Sequence, residues 1–183
     1  MLHPTQEMLS VCVDAILGSH VDGCLVCPKL LYYSRDCAEV SCGGIQCVVN
    51  RSIWEASNID VRQHKVITGY ATGGAVALCA AIRSADAYGH CPTVVTFGSP
   101  PVGDHSFSRL GACIHHLRVR LSMDLTHRSG HHHGSPVIVG NEAPSCFDFL
   151  CNMLGHESPI STESYMKQVD QCITDPLWES VDI

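Results

Sequence analysis

The chain has 183 residues, 45% hydrophobic and 16% charged, with a formal net charge of −7; that length can bury a sizeable core in one domain. An acidic balance without a basic cluster argues against nucleic acid as a partner, and against anionic membranes bound through charge alone. No apolar run approaches the roughly 20 residues of a spanning helix. The start, Met-Leu-His-Pro-Thr-Gln-Glu-Met, lacks the basic-then-apolar pattern of a secretory signal, so an intracellular protein is expected, with a mature secreted domain as the alternative.

In chain order, residues 5–17 have helical spacing, with Met8, Val11, Cys12, Ala15 and Ile16 on one face. Gly18 and Gly23 bracket a turn, residues 29–40 are expected to be helical, and residues 45–49 read as a short strand. Residues 65–68 read as a strand running into Gly69. Residues 72–83 follow as a helix, apolar nearly all round from Ala75 to Ile82, which marks a buried central helix. A second strand at 93–97 ends at Gly98-Ser99-Pro100-Pro101. Residues 104–113 are expected to be helical, 116–122 and 137–139 to be strands, and 159–172 to be the final helix, with Ser158 or Ser161 near its cap. No repeat or linker interrupts this pattern, so residues 1–183 are expected to form one domain. Strands alternating with helices imply a mostly parallel sheet covered on both faces, with its site beyond the carboxyl ends of the strands.

Twelve cysteines are many for a cytosolic chain; an even count permits disulfides without establishing them. Cys79, inside the apolar helix, suits a buried free thiol, and mostly reduced cysteines are expected. Cys24-x-x-Cys27, followed by Cys37, Cys42 and Cys47, lacks the second C-x-x-C that marks a zinc site. His131 and His133 would share one face of a strand, but no spaced Cys or Glu partner accompanies them. Neither a metal nor another cofactor is therefore expected. Trp54 and Trp178 read as packing or surface residues, with contact between Trp54 and an acyl chain as the sharper alternative.

The chemistry concentrates at Ile67-Thr68-Gly69-Tyr70-Ala71-Thr72-Gly73-Gly74-Ala75. The pattern G-x-S-x-G turns a strand sharply into a helix and exposes a serine at the apex. Gly69 and Gly73 hold the glycine positions, where side chains would clash, and Ala71 holds the apex. A strained apex costs of order 1–3 kcal/mol, from which a methyl group gains nothing. A triad would need a carboxylate and then a histidine further along the chain. Asp124 follows the strand at 116–122, and His156 lies in a polar loop before the last helix. His127, His131, His132 and His133 are rival bases; chain position favours His156.

Val66 through Ala75 resembles the elbow of the class 3 (fungal-type) triacylglycerol lipases. Four further segments follow in the right order. Thr96-Phe97-Gly98-Ser99-Pro100-Pro101-Val102-Gly103-Asp104 is similar to that family's T-F-G-x-P-x-V-G segment. Arg118-Val119-Arg120-Leu121-Ser122-Met123-Asp124 resembles its R-V-x-x-x-x-D stretch, His133-Gly134 before Val137 its turn before a strand, and His156 with Tyr165 its terminal histidine region. The resemblance implies an α/β-hydrolase fold acting on carboxylic esters of lipids, acylglycerols or phospholipids. It implies a nucleophile at position 71, Asp124 and His156 as its partners, and the Thr72 N–H as an oxyanion donor. Val49-Asn50-Arg51-Ser52 echoes the family's R-G-T-like turn and makes Ser52 the second donor. The chain departs from the family at four points. Serine is replaced by Ala71, histidine by Tyr70 and leucine by Thr72, and only residues 53–68 separate the R-G-T echo from the elbow. The lid is therefore expected to be short or absent.

Two explanations compete for Ala71. An introduced Ser-to-Ala change is preferred, because Asp124, His156 and the glycines all remain. A natural pseudoenzyme that binds lipid or a protein partner is the alternative. Thr72 and Ser99 lie off the apex and are poor replacement nucleophiles. As written, the chain is expected to be nearly inert.

Overall fold

The computed structural model describes residues 4–32, 34–121, 132–139 and 161–174. Its centre is a parallel sheet of five strands: β1 (Cys24–Val26), β4 (Val66–Tyr70), β5 (Thr93–Phe97), β6 (His116–Leu121) and β7 (Ser135–Val139), adjacent in that order. Two further strands, β2 (Cys37–Cys42) and β3 (Ile45–Asn50), pair as an antiparallel hairpin outside the sheet. The helices are α1 (Pro4–Ile16), α2 (Arg51–Ala56), α3 (Thr72–Tyr88), α4 (His105–Leu110) and α5 (Thr162–Thr174).

Side chains alternate across the strands, so the sheet has two cores. On one face, Ile67 and Val94 pack with α3, with Ile53 of α2, and with Cys42, Cys47 and Val49 of the hairpin. On the other, Val95, Phe97, Leu117, Val119, Leu121 and Val139 pack with Leu9, Cys12 and Val13 of α1 and Met166, Val169 and Ile173 of α5. The result is three layers, helix, sheet and helix, which is the mostly parallel α/β architecture expected from the alternation of strands and helices.

α3 fills the middle of the first core. Every residue from Thr72 to Ile82 is buried, so its all-round apolarity reflects contact on all sides. Its alanines allow close approach to β4 and β5. Asp104 caps α4 by accepting from the Phe107 N–H at 2.9 Å. At α5, the Ser164 N–H donates to Ser161 Oγ at 3.1 Å, so of the two candidate caps Ser161 serves. The hairpin is tied to the loop after β5, where the Asn50 N–H donates to the Val102 carbonyl and the Asp104 N–H to the Val48 carbonyl, both at 2.9 Å.

Among the described residues, the helix expected over 29–40 is absent. Residues 29–32 and 34–36 are irregular and lead to β2, whose residues alternate between exposed and partly buried up to the buried Cys42. The turn between β2 and β3 is Gly43-Gly44, with φ of 57° and 73°. Two consecutive positive-φ residues suit the tight hairpin turn whose twist matches the flanking strands. That pairing with β3 makes residues 37–42 a strand rather than the end of a helix. The strand β1 and the short helix α2 had no counterpart among the expected elements.

Candidate active site at the elbow

At the carboxyl end of β4 the chain reverses into α3 through Ala71, which has φ 50° and ψ −126°. Among the described residues it is the only one other than glycine with positive φ. An L side chain avoids that region, so the surroundings must impose it. They do so through backbone bonds and close packing. The Ala71 N–H donates to the Phe97 carbonyl at 2.9 Å, tying the apex to β5, and the Ala71 carbonyl accepts from the Gly74 N–H at 3.0 Å.

The flanking glycines are sterically required. A Cβ on Gly69 would lie 2.4 Å from the Gly73 carbonyl carbon, and one on Gly73 would lie 2.6 Å from the Cys27 carbonyl oxygen. Gly74 faces Thr96 and Ser99 at comparably short range. The first N–H groups of α3 have no intrahelical carbonyl to bond. They sit where a helix dipole favours negative charge.

The loop following β1 closes one side of the elbow. β1 lies beside β4 in parallel register, and the Cys27 N–H extends the ladder to the Thr68 carbonyl at 2.8 Å. The Leu30 N–H donates to Thr72 Oγ1 at 2.9 Å. The Lys29 ammonium lies 5.6 Å from the centroid of the Tyr70 ring. Thr72 is thus buried, its hydroxyl holding the loop and its backbone opening α3. The sequence offered Cys27 only as part of a C-x-x-C pair and residues 29 and 30 only as the start of an expected helix. The signal for a strand there is the four-residue apolar run Cys24-Leu25-Val26-Cys27 that ends before Pro28.

Ser52 lies on the first turn of α2, after a hairpin strand rather than a strand of the central sheet. Its Oγ accepts from the Ser34 N–H at 3.3 Å. Trp54, on the same helix, lies under the Arg83 guanidinium, 4.6 Å from its ring centroid. Arg83 stands eleven residues along α3 from Thr72, roughly 16 Å at the helical rise, so Trp54 packs away from the elbow.

Asp124 and His156 lie outside the described residues, as do the rivals His127 and His131. The elements on either side of them are described. β6 ends at Leu121, whose N–H donates to the Tyr165 hydroxyl at 3.3 Å. Tyr165, on the first turn of α5, lies against Tyr70 with ring centroids 5.0 Å apart. The end of β6, the start of α5 and the residue before the apex therefore meet.

His133 stacks on His116, with ring centroids 5.6 Å apart. His116 is buried, its Nε2 2.9 Å from Thr96 Oγ1. Burial, with the neighbouring His133 and Arg118, pushes its pKa down to about 3, so it stays neutral near neutral pH. This pair belongs to the packing beneath β5 and β6. No group of three potential metal ligands occurs among the described residues. Cys79 is a buried free thiol, as are Cys12, Cys27, Cys42 and Cys47.

The model of the family "Lipase (class 3)" matches residues 36–129, just over half of the chain. No curated protein matches. Solved structures that resemble the chain include a fungal lipase in an inhibitor complex, with 21% identity over 57% of this chain and 50% of that one and a TM-score of 0.44. A lipase from Rhizopus microsporus var. chinensis has 17% identity over 62% and 48%, with a TM-score of 0.48. A triacylglycerol lipase from Penicillium expansum has 12% identity over 80% and 73%, with a TM-score of 0.48. The chain spans about half the length of the first two. With a family model covering the elbow, β5, β6 and the stretch that follows them, the chain belongs to the class 3 lipases.

Proposed function

We propose that this fold, as a single domain over residues 1–183, is built to hydrolyse carboxylic esters of lipids, acylglycerols or phospholipids, and is disabled at position 71. One observation carries the reading: a non-glycine residue is held at φ 50° and ψ −126° at the apex of a strand–turn–helix. Strain of order 1–3 kcal/mol persists where the surroundings over-determine it, and this geometry presents a side chain beyond the sheet.

In this reading a serine at 71 attacks the ester carbonyl. His156 takes the hydroxyl proton and gives it to the leaving alcohol, while Asp124 holds the imidazole in the required tautomer. Water then hydrolyses the acyl-enzyme through the same base. The meeting of Leu121, Tyr165 and Tyr70 supports these assignments. Asp124 is three residues past Leu121, within about 10 Å of chain, and His156 is five residues before Ser161, within about 17 Å. The Thr72 N–H donates to the oxyanion. Ser52 is the second donor in this reading: its Oγ accepts from the Ser34 N–H, which does not use the hydroxyl proton.

The test is Ala71→Ser, assayed on p-nitrophenyl esters from acetyl to dodecanoyl. A gain on the order of 10⁴-fold or more is expected, from the size of nucleophile effects in a triad. Asp124→Asn and His156→Asn in the serine background should each abolish most of that gain. The alanine itself favours a second reading, a pseudoenzyme that binds lipid or a protein partner. No gain on any ester would favour it.

A further inference from the structure

Cys24 and Cys27 form a C-x-x-C pair in the sequence, but the fold separates them. Successive residues of a strand point to opposite faces of its sheet. Leu25 packs with the core around α3, where Cys27 is also buried. Cys24 therefore faces the other layer, that of α1, where Cys12 is fully buried. The two thiols meet there, with the Cys12 S–H donating to the Cys24 sulfur. That bond and then burial push the Cys12 thiol up. At Cys24 the same bond outweighs burial and holds the thiol below its ordinary value. Cys24 is only partly buried, so the more acidic sulfur is also the one that solvent reaches. Thiolate character and access together decide which cysteine is oxidised. The hairpin thiols are directed elsewhere, Cys42 to Asp86 and Cys47 to the Val40 carbonyl.

We propose that Cys24 and Cys12 are an oxidative-modification site, at which hydrogen peroxide joins them into a disulfide that staples α1 to β1. The Cys24 thiolate attacks one peroxide oxygen. The O–O bond breaks, leaving a sulfenic acid on Cys24 and releasing hydroxide. The Cys12 sulfur then attacks the sulfenic sulfur, and the S–S bond forms as the S–O bond breaks. The departing hydroxide takes the Cys12 proton and leaves as water. Two electrons pass from the sulfurs to the peroxide, so two thiols and one peroxide give one disulfide and two waters. β1 continues through Cys27, whose N–H bonds the Thr68 carbonyl, into the loop beside the elbow. The staple therefore fixes α1 to the strand that carries that loop.

The test uses the full chain, reduced and then exposed to hydrogen peroxide. Remaining thiols are alkylated in denaturant before digestion and mass spectrometry. The expected product joins the peptides of Cys12 and Cys24 and is two hydrogens lighter than their sum. The melting temperature should rise by about 5 °C or more, because the cross-link constrains the unfolded chain, and dithiothreitol should reverse the rise. Cys24→Ser, at a partly exposed position, should keep the fold and lose both the cross-link and the rise. In Cys12→Ala, oxidation should stop at the Cys24 sulfenic acid, which dimedone traps; if that variant does not fold, the parent and Cys24→Ser decide alone. A Cys24–Cys27 link in the parent would overturn the proposal. So would Cys12 recovered in its alkylated form after peroxide has consumed other thiols, or a melting temperature that falls as the Cys12–Cys24 link forms.

Discussion

The two ends of α3 solve the same steric problem in opposite ways. At its carboxyl end the chain leaves through Gly89, with φ 65° and ψ 14°, whose N–H bonds the Ala85 carbonyl. Positive φ there serves only to stop the helix, and glycine meets it at little cost. A Cβ at Gly89 would touch nothing within 4 Å. At the amino end the chain enters through Ala71, also at positive φ, but with a side chain present. Glycine would relieve the strain at both ends. It occupies only the end where no side chain has to be shown. Strain at one terminus and relief at the other separate a requirement of folding from a requirement of display.

Three substitutions probe that contrast. Gly69→Ala should have the largest effect, a loss of roughly 3 kcal/mol or more, because its Cβ would meet backbone that cannot swing aside. Chemical denaturation would measure it, and a loss below 1 kcal/mol would mean that the elbow can relax. Ala71→Gly should act in the opposite direction, raising stability by about 1 kcal/mol, as relief of strain outweighs the added entropy of the unfolded chain. If it destabilises instead, the apex is not strained and the comparison fails. Gly89→Ala should cost about 1 kcal/mol, purely from the backbone conformation. A cost equal to that of Gly69→Ala would erase the distinction between crowded and open glycines.

Much of the architecture could be read from the chain because it rests on local pattern. The strand at 93–97 matches β5 residue for residue. The all-apolar run after Gly73 became α3, extended by its last turn to Tyr88. Of the hairpin only its second strand was expected, at 45–49; residues 37–40 of β2 were expected to be helical instead. β1 was beyond reach: three residues carry no period, and only their pairing with β4 makes them a strand.

By itself the sequence determined the elbow, because two glycines, an apex and a buried helix are close in the chain and their sterics are local. It also determined the order of the segments that follow. The tertiary structure decided which segment faces the elbow. Ser52 lies on α2 after the hairpin, while the loop at 27–30 packs against Tyr70, Thr72 and Gly73, on either side of the apex. That outcome depends on which strand lies beside β4, and strand order arises from burying two faces of one sheet at once. No stretch of chain encodes it alone, because each face is covered by helices from distant parts of the sequence, α1 with α5 on one side and α3 with α2 on the other.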